Sequence, residues 1–367
     1  MKKMNRKYVL KKKGLLFLAK TIDAIGDLCT APFRRTSPVR IAEIKKVLAV
    51  RIDHLGDALL LRPALKEWAN KYPDLAIDVL TTVENAPVFQ FDSFVNNVWT
   101  FDNHWFQPLA SRFSQIRSFI KLIQFLRKQK YDAAIDFRGD ARINLILLLS
   151  NISTRIGYGV TGGGWILSHE RLKENGIHEV CQNLKILEDW LPCQETPIPN
   201  VPVGWPKSIQ SHCESKITQW SSSYAILHAG AGNPIKQRPK DFYHHLALQL
   251  LEQNIIQKIV WIGTASEKIR MPLPSEPHFV DLRGLTDLHE LAFLLSRAKF
   301  FLGNDSGPAH LAAAQGIPVM VIANKTNDMT IWRPWTGKLR IIGASLDHDQ
   351  AIAASIEAVH QLLAIVK

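Results

Sequence analysis

From about Lys46 onward, short apolar runs alternate with segments of helical period, and after a proline-rich break the alternation begins again. Nothing else in the chain constrains its fold as much. Continuous apolar runs are strands buried on both faces, and strands joined through amphipathic helices build parallel sheets covered by helices. The first series predicts strand 47–52, helix 57–71, strand 76–81, helix 114–129, strand 133–136 and helix 141–149. The second predicts strand 224–228, helix 241–253, strand 259–262, helix 287–298, strand 300–302, helix 308–315, strand 319–322 and a closing helix 351–366. Between Leu191 and Trp205 stand four prolines, which neither continue a helix nor donate to a sheet. The expected organisation is therefore a basic segment 1–45, an α/β domain 46–190, a linker 191–222, a second α/β domain 223–345 and a terminal helix 346–367. A chain of 367 residues is long enough for two such cores.

In open α/β sheets ligands bind beyond the carboxyl ends of the strands, so residues that follow strands are the first to inspect. Phe300–Pro318 runs from a strand through Gly303-Asn-Asp-Ser-Gly-Pro-Ala-His310 into a helix with Pro308 at its first positions. A helix N-terminus presents free N–H groups and about half a positive charge, which suits a phosphate, and Gly307 lets an anion approach the backbone. Read alone, the turn fits simple capping by Ser306 or Asp305 equally well. The stretch His228-Ala-Gly-Ala-Gly-Asn-Pro-Ile-Lys-Gln-Arg-Pro239 also leaves a strand. Gly230 and Gly232 allow close approach, and Lys236 is a point charge for a phosphate or a solvated loop lysine. Neither a Walker loop nor a Gly-x-Gly-x-x-Gly fingerprint is present, since Gly159–Gly164 has the wrong spacing. In the first domain, Arg51-Ile-Asp-His-Leu-Gly-Asp57 places Arg51 and Asp53 at a strand end and Asp57 at a helix start. Asp57 there is either a proton acceptor or an ordinary N-terminal helix residue.

Together these stretches resemble the heptosyltransferase family, glycosyltransferase family 9, which builds the lipopolysaccharide inner core. The resemblance runs from about Lys46 to the end. It is anchored on Arg-x-Asp-x-x-Gly-Asp with Pro63, on His-x-Gly-Ala-Gly with Lys236, and on Asn304-Asp-Ser-Gly-Pro-Ala-His with Gly316 and Pro318. It implies a GT-B architecture of two Rossmann-like domains facing across a cleft, with the nucleotide sugar, most simply ADP-heptose, on the C-terminal domain and a lipopolysaccharide or related glycan acceptor on the other. By the same resemblance Asp57 is the general base of an inverting transfer. The donor is held by His228, Gly230, Gly232, Lys236, Glu267, Asp305, Ser306, Gly307 and His310, with Glu267 at the ribose. Arg51, Asp53, Arg62 and Arg138 are candidates for the acceptor, and no cofactor or metal is expected. Gln-Arg-Pro follows Lys236 where the family usually has an aromatic before the proline. Rival readings are another nucleotide-sugar enzyme of this architecture and a non-catalytic sugar-nucleotide-binding protein.

The net charge of +12 does not make this a nucleic-acid binder, because Met1–Lys46 holds 13 Lys or Arg against three acids, ten of the twelve charges. Leu15, Leu16, Leu18, Ala19, Ile22, Ile25 and Cys29 fall near one helical face among those lysines. The segment therefore suits either an anionic inner-membrane surface, bound through residues 1–40, or the protein's own surface. Its apolar stretch is far short of the ~20 residues that span a bilayer. Cys29, Cys181, Cys193 and Cys213 are too widely spaced for a zinc site or disulfide framework, and a cytoplasmic, peripheral enzyme is expected.

Overall fold

The computed structural model describes residues 8, 13–30, 39, 41–101, 112–191, 199–220, 223–230, 238–270, 273, 277–323, 328–343 and 345–365. The chain divides into two compact units, Met1–Pro197 and Ile198–Lys367.

Unit 1 contains α1 (Lys13–Thr30), β1 (Lys46–Arg51), α2 (Leu55–Lys71), β2 (Ala76–Thr81), β3 (Asn97–Thr100), α3 (Arg112–Gln129), β4 (Ala133–Asp136), α4 (Ala141–Leu149), β5 (Thr154–Tyr158), β6 (His169–Arg171) and α5 (Glu179–Lys185). Its sheet is wholly parallel, in the order β3-β2-β1-β4-β5-β6. Val50 of β1 lies level with Leu80 on one side and Asp136 on the other. The order reverses between β1 and β4, so their carboxyl ends frame the unit's switch-point crevice. Leu48 and Val50 pack with Leu122, Leu126, Ile143 and Leu147 of α3 and α4 on one face. Trp68 of α2 meets Trp190 edge to face at 5.1 Å.

Unit 2 contains α6 (Lys207–Trp220), β7 (Tyr224–His228), α7 (Lys240–Glu252), β8 (Lys258–Trp261), α8 (Ala265–Arg270), β9 (Phe279–Asp281), α9 (Leu288–Arg297), β10 (Phe301–Asn304), α10 (Gly307–Ala314), β11 (Val319–Ile322), α11 (Met329–Trp332), β12 (Leu339–Ile342) and α12 (His348–Ile365). Its parallel sheet has the same connectivity, β12-β11-β10-β7-β8-β9, with the switch point between β7 and β10. Phe242, Tyr243 and Leu246 of α7 pack with Trp261, Phe300, Val359 and Leu362 in one core. Asp287 and Glu290 cap α9 reciprocally.

Two boundaries differ from the sequence reading. Residues 207–220 lie inside the expected linker yet form α6, which packs on α9 and buries Cys213. The chain is already fastened to unit 2 at Asn200, whose Nδ2 donates to Ala313 O at 2.7 Å, and at Trp205, edge-on to Phe293 at 5.2 Å. The terminal helix is an integral part of the unit 2 core, against α7 and β12.

Candidate functional site

In unit 2 the ends of β7 and β10 are tied together by Asn304. Its Nδ2 donates to Ala229 O at 2.7 Å and Gly230 O at 3.2 Å, while Tyr243 OH donates to its Oδ1 at 2.5 Å. With Asn304 buried, both loops leave the sheet in a fixed relation. Ser306 is the N-cap of α10 but makes no side-chain cap. Its hydroxyl instead donates to Asn304 O at 3.1 Å and meets His228 Nδ1 at 2.9 Å. The simple capping reading of this turn therefore does not hold for Ser306. α10 begins at Gly307, so its positive end lies just beyond the carboxyl end of β10. Asp305 and His310 are buried beside it, with Oδ1 and Nε2 4.0 Å apart.

Glu267 adds a carboxylate to the same crevice. Thr264 N–H donates to its Oε2 at 2.7 Å and Thr264 Oγ1 accepts from its N–H at 3.3 Å, a reciprocal cap that starts α8. His228 Nε2 stands 3.7 Å from Oε2. Burial opposes ionisation, but the His228 side chain and the Thr264 N–H outweigh it and bring the carboxyl from 4.5 to about 2. The carboxylate lies over Gly230 and Gly263, where an added Cβ would fall 1.9 Å from Oε1 and 2.4 Å from Oε2. Only glycine admits it that closely. Gly232 and Lys236 lie outside the described residues. Arg238, on the same loop, donates to Leu346 O and Gly343 O, both at 3.0 Å, and so braces the chain beyond β12.

In unit 1 the hub is Arg51, a buried guanidinium at the end of β1. It donates to Asp53 at 3.1 Å, Asp57 at 2.7 Å, Glu179 at 3.0 Å, Asn183 at 3.3 Å and Phe137 O at 3.1 Å. Glu179 also takes Lys173 Nζ at 3.1 Å, and Asn183 Nδ2 donates to Leu60 O at 3.0 Å. Burial in this carboxylate cluster raises the Asp53 carboxyl to about 7 against the pull of Arg51. Asp57 sits in the first turn of α2, where His54 is the N-cap, and its side chain is 15% exposed against 1% for Glu179. With Asp53 at 9%, it is the most exposed of the three carboxylates around Arg51. From β4, buried Asp136 is raised to about 6 by burial and by Asp140, while its oxygens accept the N–H groups of Arg138 and Asp140. Arg138 Nη1 donates to Ile52 O at 2.7 Å, which keeps Arg138 beside Asp53.

A model of glycosyltransferase family 9 (heptosyltransferase) matches residues 119–359, about two thirds of the sequence. The chain belongs to that family. It is accordingly a glycosyltransferase, and family 9 relatives extend the likeness to most of its length. It is similar to "Lipopolysaccharide heptosyltransferase 3" of Escherichia coli (strain K12), 26% identical over 297 residues that cover 77% of this chain and 83% of the relative. The solved E. coli ADP-heptose lipopolysaccharide heptosyltransferase II shares the fold with a TM-score of 0.72 at 21% identity, over 87% of this chain and 98% of that one. A putative UDP-N-acetylglucosamine 2-epimerase from Listeria monocytogenes shares it less fully, with a TM-score of 0.54 at 13% identity over 87% and 90%. The two parallel sheets are the GT-B type of architecture expected for family 9.

Of the donor residues expected by family resemblance, His228, Gly230, Glu267, Asp305, Ser306, Gly307 and His310 all converge at the β7/β10 switch point or beside it. The acceptor expectations fare differently, and two are corrected. Arg62 is fully buried and paired through both its Nε, at 2.8 Å, and Nη2 with Asp92, so it faces no acceptor phosphate. Arg51 is consumed by its own carboxylates. Asp53 and Arg138 do lie at the β1/β4 switch point. Sequence reasoning missed Glu179, Asn183 and Asp136. A buried strand-end arginine signals that carboxylates must surround it, but not that one comes from 128 residues away.

Proposed function

We propose that this family 9 enzyme transfers heptose from ADP-heptose to a lipopolysaccharide core acceptor with inversion, and that Asp57 is its general base. The observation that carries the reading is the accessible Asp57 carboxylate at the unit 1 switch point, held through Oδ1 by buried Arg51. Arg51 fixes the carboxylate's direction, so Oδ2 is the oxygen that takes the proton as the acceptor hydroxyl attacks the anomeric carbon. On the donor side, Glu267 is ionised and pre-positioned for a ribose diol, and the α10 N-terminus suits the diphosphate. Lys236 and that helix end would balance the charge of the departing ADP, the contribution that usually dominates in such sites, so transfer needs no divalent metal. The names of the relatives support heptose and lipopolysaccharide, and the elaborate Arg51 cluster supports a catalytic rather than capping carboxylate.

The test is a product assay with ADP-heptose and a heptose-deficient lipopolysaccharide core, in parallel with UDP-sugars and in the presence and absence of a chelator. The expected result is ADP release matched by an acceptor heavier by one heptose, unaffected by chelation. Turnover with a UDP-sugar alone would assign a different donor, and chelator-sensitive turnover would remove the metal-free mechanism.

A further inference from the structure

Helix α1 is docked on unit 1 by its polar and small side, which leaves its apolar side uncovered. Asp23 is buried and its Oδ1 accepts the Gly163 N–H at 2.7 Å, while Oδ2 accepts Tyr8 OH at 2.7 Å. Gly26 is pressed against the Trp165 ring, where an added Cβ would fall 2.4 Å from the ring carbons. Leu16 and Ala19, which the sequence puts on the apolar stripe, turn partly inward with them. The opposite half of the helix carries Phe17, Leu18, Ile22, Ile25 and Leu28, from 47% to 75% exposed, and no charged residue lies among them on a 3.6-residue wheel. An amphipathic helix that merely covered its own protein would be docked the other way round.

Further exposed apolar side chains lie on neighbouring elements of unit 1. The turn Gly164–Ile166 lies between α1 and α4, and α4 lies against α3. These helices expose Leu145, Leu148, Leu149, Ile116 and Ile120. No acid occurs from Arg112 to Tyr131, whereas Arg117, Lys121, Arg127 and Lys128 are exposed there. Lys13 and Lys20 flank the α1 stripe, and the surrounding sequence to Lys46 supplies ten net positive charges.

We propose that this surface of unit 1, centred on the outward half of α1, docks on an anionic lipid bilayer with α1 lying in the interfacial plane. Apolar side chains enter the acyl boundary while the flanking lysines and arginines meet lipid phosphates. At 18 residues α1 is about 27 Å long, and no helix among the described residues is long and apolar enough to cross a membrane. A second copy is a poor occupant, because a two-fold contact through α1 would bring two strongly basic segments together. The proposal is independent of the donor and acceptor assignments.

The full chain would be sedimented with vesicles of phosphatidylethanolamine and phosphatidylglycerol, and separately with phosphatidylcholine vesicles. The expected result is binding to the first set, weakened by salt, and at least about tenfold weaker binding by Leu18→Glu/Ile25→Glu. That variant should keep the wild-type melting temperature and turnover with a soluble core oligosaccharide, which separates loss of docking from failure of the catalytic reading. If it does not fold, a fluorophore on exposed Cys29, with Cys181→Ser, Cys193→Ser and Cys213→Ser, should shift to the blue on the anionic vesicles. Equal binding by the Glu variant, absence of wild-type binding, or an unshifted fluorophore would overturn the proposal. So would a lipid-free dimer that Leu18→Glu/Ile25→Glu dissociates.

Discussion

At the scale of single residues, the unit 2 crevice holds Glu267, whose carboxyl is drawn from 4.5 to about 2 against its burial by His228 and the Thr264 N–H. Because the folded carboxyl ionises at lower pH than the unfolded one, its stabilisation is complete above about pH 4.5 and is lost as pH falls toward 2. Melting temperatures of wild type and Glu267→Gln should therefore differ near neutrality and converge across that window, as a paired pH series of thermal melts would show. The packing over Gly230 gives a second expectation. In Gly230→Ala the new methyl group displaces Glu267, so ADP affinity should fall by about tenfold in titration calorimetry, an effect of about 1.4 kcal/mol. Adding Gly230→Ala to Glu267→Ala should then cost almost nothing further, because the two act through one contact.

At the scale of elements, the Arg62–Asp92 pair ties the middle of α2 to the turn that follows β2. Arg62→Ala leaves a buried carboxylate without its partner and should lower unfolding stability by about 3–5 kcal/mol, whereas Arg62→Met with Asp92→Leu should recover most of it in denaturant titrations. The central strands β1, β2, β4, β7, β8, β10 and β11 were legible in the sequence because burial on both faces writes a continuous apolar run. The flanking strands were not. β3, Asn-Val-Trp-Thr, and β6, His-Glu-Arg, are short edge strands with exposed or half-buried side chains, and Thr-Arg-Ile-Gly-Tyr of β5 hides its strand behind an arginine and a glycine. The same logic explains α6, whose single buried residue, Cys213, gives too weak an apolar stripe to be seen beside the prolines. The turn into α10, the start of the loop after β7 and Asp57 could be singled out in the sequence because each follows a readable strand. Of the partners that fix Arg51, Glu179 and Asn183 come from α5 and depend on tertiary contacts that local pattern does not encode.

At the scale of the whole molecule, each unit has its own six-stranded sheet, its own core and its own switch-point group. Residues 198–367 alone should therefore melt cooperatively and bind ADP. Ligand at about 100 times its dissociation constant should add about 2.7 kcal/mol, visible as a thermal shift that residues 1–197 do not show. In the proposed mechanism the donor takes one switch point and the proton acceptor the other, and this division of labour rests on Asp57. The most direct measurement is heptosyl transfer by Asp57→Asn, with ADP affinity determined on the same preparation. The account predicts turnover reduced by about 10²–10⁴ with ADP binding unchanged. Turnover close to that of the wild type would contradict it.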